Sequence, residues 1–152
     1  MIERDIFSNI EKYIKKAKNL AYKYEEFNLI LNIIEIEESL CFKNCFIINY
    51  NKLKELQDER EKIYKIIKNL NYLLTLKAEL QQYQFNEESY NFDLNNFIKN
   101  YGHSPLINED EILSVKAKSV SFYIKGIISF IQHDYHSSVE LQSKHYSLFN
   151  DH

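Results

Sequence analysis

Glycine and proline are almost missing from this sequence, with two glycines and one proline in 152 residues. These residues punctuate a chain at tight turns. An all-β fold needs a turn roughly every 8–12 residues, so a sandwich or barrel is excluded. Two isolated glycines also cannot build a phosphate-cradling loop, and no serine stands in a glycine-flanked elbow. No apolar run approaches the roughly 18 residues of a membrane span. The start, MIERDIFSNIEKYIKK, carries acids within its first five residues and no small-residue cleavage site, unlike a signal peptide. The expectation is a cytoplasmic protein with no membrane partner.

A basic excess is absent too. Nineteen basic and 22 acidic residues give a formal charge of −3 and are interspersed rather than blocked, which argues against sequence-independent nucleic-acid binding. Cysteine is limited to Cys41 and Cys45. One helical turn is poor disulfide geometry, and two thiols alone do not make a zinc site. Buried, reduced thiols acting as small hydrophobes are expected, and no cofactor is implied.

What the chain does have is apolar surface. Hydrophobic residues make up 45% and charged residues 27%, with 12 tyrosines and 10 phenylalanines. One domain of this length can bury a core without staples. Phe, Tyr, Ile, Asn and Lys account for about half the chain, whereas Gly, Ala, Arg and Pro total nine residues. The first set has AT-rich codons and the second GC-rich ones. An AT-rich genome is therefore expected, such as a low-GC bacterium, its phage or another mobile element.

Spacing supplies the fold class. Ile6, Ile10, Tyr13, Ala17, Leu20, Tyr24, Phe27, Leu31 and Ile34 alternate in steps of four and three, and the same register continues through Glu38, Cys41, Cys45 and Ile48. This coiled-coil-like seam predicts a helix from about Ile2 to Leu31. Between Leu29 and Ile48 apolar residues also leave the seam. That stretch reads either as a helix buried on several sides or as a β-hairpin near residues 33–50. Asn51 is a plausible N-cap for a helix to about Tyr83, carrying Leu53, Leu56, Ile63, Ile67, Leu70 and Leu74, with Arg60 in the one polar seam position. A shorter helix follows from Asn86 to Gly102, through Tyr90, Leu94 and Phe97. A last helix is predicted from about Glu109 into the 140s, where Ser119, Gly126 and Ser129 would allow close approach by a neighbour. Residues 143–152 are left to fray. The predicted fold is all-α: one domain over 1–152, a bundle of about four helices including a long coiled-coil-like N-terminal helical hairpin. The rival is α+β, with a small hairpin at 33–50.

Three constellations bear on chemistry. His133, His136 and Glu140 would share one face if the last helix persisted, as a metal site requires; the alternative is a polar helix end. Glu35-x-x-Glu38 followed by Glu55-x-x-Asp58 resembles the magnesium-binding pattern of the all-α nucleotide pyrophosphatases of the MazG and dimeric dUTPase type. The resemblance would imply four carboxylates holding Mg²⁺ against a triphosphate. With 22 acids in the chain, such pairs also arise by chance, and the charged residues after Asp58 depart from that family. Tyr101-Gly102-His103 before the last helix is similar to a loop of some HEPN RNA-associated bundles. Their catalytic pair needs an Arg and a His four to six residues apart, and neither Arg4 nor Arg60 has a histidine so near.

The function expected from these readings is non-enzymatic protein–protein interaction, as an inhibitor, immunity protein, adaptor or small subunit. The partner would be another protein or a second copy in a homodimer, because the seams offer more apolar face than a few helices must hide from one another. Tyr24, Phe27, Leu31, Ile34, Phe42 and Phe46 are the expected interface. The alternatives are a metal-dependent nucleotide pyrophosphohydrolase using Glu35, Glu38, Glu55 and Asp58, and a HEPN-like module without its catalytic pair.

Overall fold

A computed structural model describes residues 2–43, 50–85, 94–101 and 109–150. Six α-helices account for nearly all of them: α1 (Ile2–Lys23), α2 (Phe27–Lys43), α3 (Tyr50–Phe85), α4 (Leu94–Tyr101), α5 (Val115–Ile131) and α6 (Tyr135–Asn150). One 3₁₀ turn spans Glu109–Glu111, and no strand occurs among the described residues. The fold is all-α. The rival hairpin is overturned as far as Lys43, since Ile33–Lys43 is helical. The remainder of that stretch, with Cys45, Phe46 and Ile48, lies outside the described residues.

The chain divides into two compact units, Met1–Ile67 and Lys68–His152, with the boundary inside α3. In the first unit the long N-terminal helix predicted to Leu31 is broken. α1 ends at Lys23, and Glu25 adopts a left-handed conformation with φ of 50°. Glu25 N–H donates to the Tyr22 carbonyl and Glu26 N–H to that of Ala21, at 3.1 and 2.8 Å. That pair of bonds is a Schellman cap, formed here on glutamate rather than the usual glycine. The Glu26 carbonyl then accepts from Ile30 N–H at 3.0 Å and opens α2. α1 packs against α2. The core of this unit is Ala21, Phe27, Ile30, Ile33, Ile34, Leu56 and Ile63, all buried. Each large aliphatic residue among them contributes on the order of 1.5–3 kcal/mol through burial.

α3 runs 36 residues. Each unit uses its own part of this helix. Leu56 and Ile63 on the predicted seam are buried, as are Leu76 and Leu80, which extend the predicted helix; Leu74 is exposed and its neighbour Leu73 is buried.

In the second unit Leu73, Leu76 and Leu80 join Phe97, Ala117, Val120, Ile124 and Ile127 in one core. The Asn69 side chain fastens the segment before α5, donating to the Glu111 carbonyl and accepting from Leu113 N–H. The last predicted helix is two helices. Ser114 caps α5, its hydroxyl accepting from Ala117 N–H at 3.0 Å, so α5 starts six residues later than Glu109. It ends at a second Schellman corner: His133 has φ of 64°, His133 N–H donates to the Phe130 carbonyl, and Asp134 N–H donates to that of Ser129. Asp134 then caps α6 through Ser137 N–H at 3.1 Å. Hydrogen bonds from the Ser137 side chain and then its backbone lower the Asp134 carboxyl pKa. α6 runs to Asn150, and the last two residues of the stretch expected to fray lie outside the described residues. Asn86, Gly102, the Tyr101–Ile107 loop and the Asn108 cap fall largely outside the described residues.

α5 and α6 pack closely, as the small residues on α5 predict. A Cβ on Gly126 would lie 3.1 Å from Gln142 Cγ and 3.5 Å from the Ser138 carbonyl oxygen. Ser119 and Ser138 are buried nearby, as is His145, whose Nδ1 lies 2.8 Å from Ser119 Oγ and 2.9 Å from the Ser119 carbonyl oxygen. The rings of Tyr123 and Tyr146 flank His145, with centroids 5.4 and 5.2 Å away.

Candidate interaction surface

The seam has two different fates on either side of the Glu25 corner. On α2 it is core: Phe27 and Ile34 are buried, and Leu31 and Cys41 are half-buried. On α1 and the residue that follows it, the row from Tyr13 to Tyr24 faces solvent, while Ile10 is half-buried. Tyr13 is 71% exposed, Leu20 48% and Tyr24 44%, and Ala17 between them is exposed as well. Of the residues that α1 buries or half-buries, Ile14, Lys18 and Ala21 lie one row over, and Ile10 is on the row itself. The corner explains this split. Breaking the helix there re-aims the row, so one continuous spacing in sequence supplies a core face and an open face.

The open stripe has a charged margin. Lys12, Lys16 and Lys23 each precede a stripe position by one residue, which in a helix places them along the same edge. All three are exposed, and Lys23 Nζ lies 5.3 Å from the centre of the Tyr24 ring. From Asn9 to Tyr24 there are five lysines and one acid, Glu11. The opposite margin passes into the packed side of α1.

Beneath the stripe, an ionic cluster ties α1 to α2 and α3. Lys18 Nζ lies 2.5 Å from Glu37 Oε2 and 2.6 Å from Glu59 Oε2, with the three side chains 14%, 18% and 26% exposed. The Tyr22 hydroxyl donates to the other Glu59 oxygen at 2.5 Å. Burial opposes the charge on Lys18, but the hydrogen bonds and negative charges of Glu37 and Glu59 outweigh it and hold the ammonium pKa above its usual value. Burial, then the Glu59 hydrogen bond and the nearby carboxylates, push the Tyr22 hydroxyl well above the ordinary phenol range. A second pair, Arg60 Nη2 to Glu38 Oε2 at 2.7 Å, fills the two polar seam positions of α2 and α3 with opposite charges. This is why the seam tolerates polar residues at both.

These contacts place the predicted carboxylates. Glu38 is engaged by Arg60, Glu55 stands 3.8 Å from Lys52, and Glu35 and Asp58 are exposed. Among the described residues no group of three or more His, Cys, Asp or Glu is placed to hold a metal ion. The acids brought together are Glu37 and Glu59, each one residue from a predicted ligand. Their signal was in sequence only as charge beside an apolar row, which solvated residues share.

The histidine constellation is divided by the second corner. His133 sits in the turn with Nδ1 3.0 Å from the Tyr135 hydroxyl, whereas His136 and Glu140 lie on α6. Glu140 pairs with Lys144 at 2.6 Å, and that hydrogen bond lowers its pKa. Of the expected interface, Tyr24 and Phe42 are exposed, Phe27 and Ile34 are core, and Leu31 is half-buried. Phe46 lies outside the described residues. Sequence reasoning missed that Tyr13, Ala17 and Leu20 are the open part. The outer side of α2 adds a shallow hollow at Asn32, Glu35, Ile36, Ser39 and Leu40. No helix among the described residues is long and apolar enough to cross a membrane. Compared with models of protein families, with curated proteins and with solved structures, the chain matches none of them.

Proposed function

We propose that this chain is a non-enzymatic protein–protein interaction module of the inhibitor, immunity, adaptor or small-subunit kind, working in the cytoplasm and engaging another protein, a second copy of itself, or both. The observation that supports this most is the α1 stripe, an apolar row with coiled-coil spacing left facing solvent. Scattered exposed hydrophobics are normal on any surface; a contiguous row along one helix marks a binding face. The row is held on a braced helix, since the Lys18–Glu37–Glu59 cluster and Ala21 fix the other side of α1. A pre-organised face binds with less loss of conformational freedom.

The test is site-specific photocrosslinking in cells that naturally make the protein. A crosslinker at Tyr13 or Leu20 should capture a discrete protein species, its own chain included. The same group at the exposed Lys54 on α3 should not. Equal, diffuse capture at all three positions, with a monomer by light scattering, would rule the reading out.

A further inference from the structure

Resting on that reading, we infer that the α1 stripe docks an acidic amphipathic helix of another protein, with apolar residues in steps of three and four and Asp or Glu along its margin. Three features of α1 lead there. The first is width. Tyr13, Ala17, Leu20 and Tyr24 occupy a single row in steps of four and three, the seam width one helix presents to another. Ala17 at its middle lets a partner backbone approach closely.

The second is charge. Lys12, Lys16 and Lys23 line the one open margin of the row, where a partner's margin residues would meet them. Opposite charges at such positions set partner choice and orientation. Carboxylates four and three residues apart on the partner would match the lysine spacing.

The third is what this charge does to the other occupants. Two copies of α1 packed antiparallel about a two-fold axis bring the same margins together, lysine against lysine, which is repulsive. Packed parallel, the lysine margin meets the opposite one, and that side of α1 is already taken by Ile14, Lys18 and Ala21 within its own unit. An anionic bilayer would welcome the lysines, but an interfacial helix sinks a broad face of Trp, Phe and Leu. This row offers one leucine, one alanine and two tyrosines.

The experiment uses the full chain and two synthetic 28-residue helical peptides with Leu at both seam positions, one carrying Glu and the other Lys at the flanking positions. Anionic phosphatidylserine vesicles and the chain alone form the other arms. The acidic peptide is expected to bind at least tenfold more tightly than the basic one, and more weakly as salt rises. Leu20→Glu should weaken it at least tenfold. The double variant K16E/K23E, both exposed, should reverse the peptide preference while leaving the helical circular-dichroism signal unchanged. Equal affinity for the two peptides, or no binding to either, overturns the acidic-helix assignment. So does Leu20-dependent vesicle binding without peptide binding, or self-association that Leu20→Glu abolishes. Self-association would leave the broader interaction reading standing, whereas the crosslinking result decides that reading independently of peptide charge.

Discussion

Replacing Lys18 with methionine would keep most of the aliphatic stem and remove the ammonium that Glu37 and Glu59 share. In the native protein both carboxylates approach that nitrogen within 2.6 Å, and none of the three side chains is more than 26% exposed. The variant leaves two negative charges facing each other in a site that water reaches only partly. Breaking a fully buried ion pair costs about 3–5 kcal/mol, and a fully exposed pair is worth under about 1 kcal/mol. At this degree of exposure the expected loss is about 2–3 kcal/mol. For a chain of this size that is a fall of roughly 5–10 °C in unfolding midpoint. Urea and thermal unfolding of Lys18→Met measure it, and the double-mutant cycle with Glu59→Gln gives the decisive comparison. In the native background Glu59→Gln should destabilise, because it weakens the contacts to Lys18 and Tyr22. In the Lys18→Met background it should restore about 1 kcal/mol by removing one of two facing charges. If Lys18→Met unfolds within 0.5 kcal/mol of the native protein, roughly the limit of such comparisons, or if Glu59→Gln has the same effect in both backgrounds, the cluster is not what braces α1.

Alkaline pH should destabilise the protein through the same cluster. The folded-state pKa values of Lys18 and Tyr22 are raised above 10.5 and 10.0. Their contribution is therefore complete below those values and is lost as pH rises through the folded ones. Unfolding measured from pH 7 upward should show a plateau and then a fall, and Tyr22→Phe should make the fall shallower. At the other end of the scale, Asp134 contributes above its ordinary pKa of 3.8 and loses that contribution as pH falls through its lowered folded value, so Asp134→Asn should flatten the acid limb. Ser121 is fully buried, and its hydroxyl has no hydrogen-bond partner among the described residues. Ser121→Ala should raise stability by about 1 kcal/mol in chemical denaturation. Gly126→Ala should fall within about 1 kcal/mol of neutral, because helix propensity offsets a tight contact with Gln142, while Gly126→Leu should cost about 1–3 kcal/mol by overpacking. A large loss for alanine, or none for leucine, would mean the α5–α6 approach is looser than described. Glu25→Gly and His133→Gly should each stabilise by about 1 kcal/mol, since both residues hold a left-handed conformation that glycine adopts freely.

The all-α class was legible from the scarcity of turn residues and from the apolar spacing. The two corners were not. Helix ends are read from Gly, Asn or Pro, and at residues 23–26 the chain offers Lys, Tyr, Glu and Glu, all compatible with a continuing helix. The four-three spacing then ran across the break without a phase error, because both α1 and α2 use it. His133 concealed the second corner in the same way and made HDYH resemble one helix face. Ser114 was a usable signal, as a serine directly before the apolar start of α5, but Glu109 to Glu111 offered a more conspicuous beginning. The Lys18 cluster was unreadable in principle. Its members are 19 and 41 positions apart, and only the fold brings them together. The open α1 stripe was legible as surplus apolar surface, but its location depended on the unseen corner.

Those corners also bear on how the chain acquires its structure. Each joins two helices adjacent in sequence, α1 to α2 and α5 to α6, through three or so residues whose backbone bonds set the path of the turn. Closing so short a connection costs little chain entropy, and contacts between sequence neighbours favour fast search. Each helical pair can therefore nucleate on its own. During synthesis residues 2–43 would emerge and pair before α3 has left the ribosome, and Lys18 and Glu37 would meet without Glu59. The ammonium would wait half-satisfied on the nascent hairpin until the first turns of α3 deliver the second carboxylate. A non-glycine residue at each corner slows closure of its own hairpin, because the left-handed conformer must be found first.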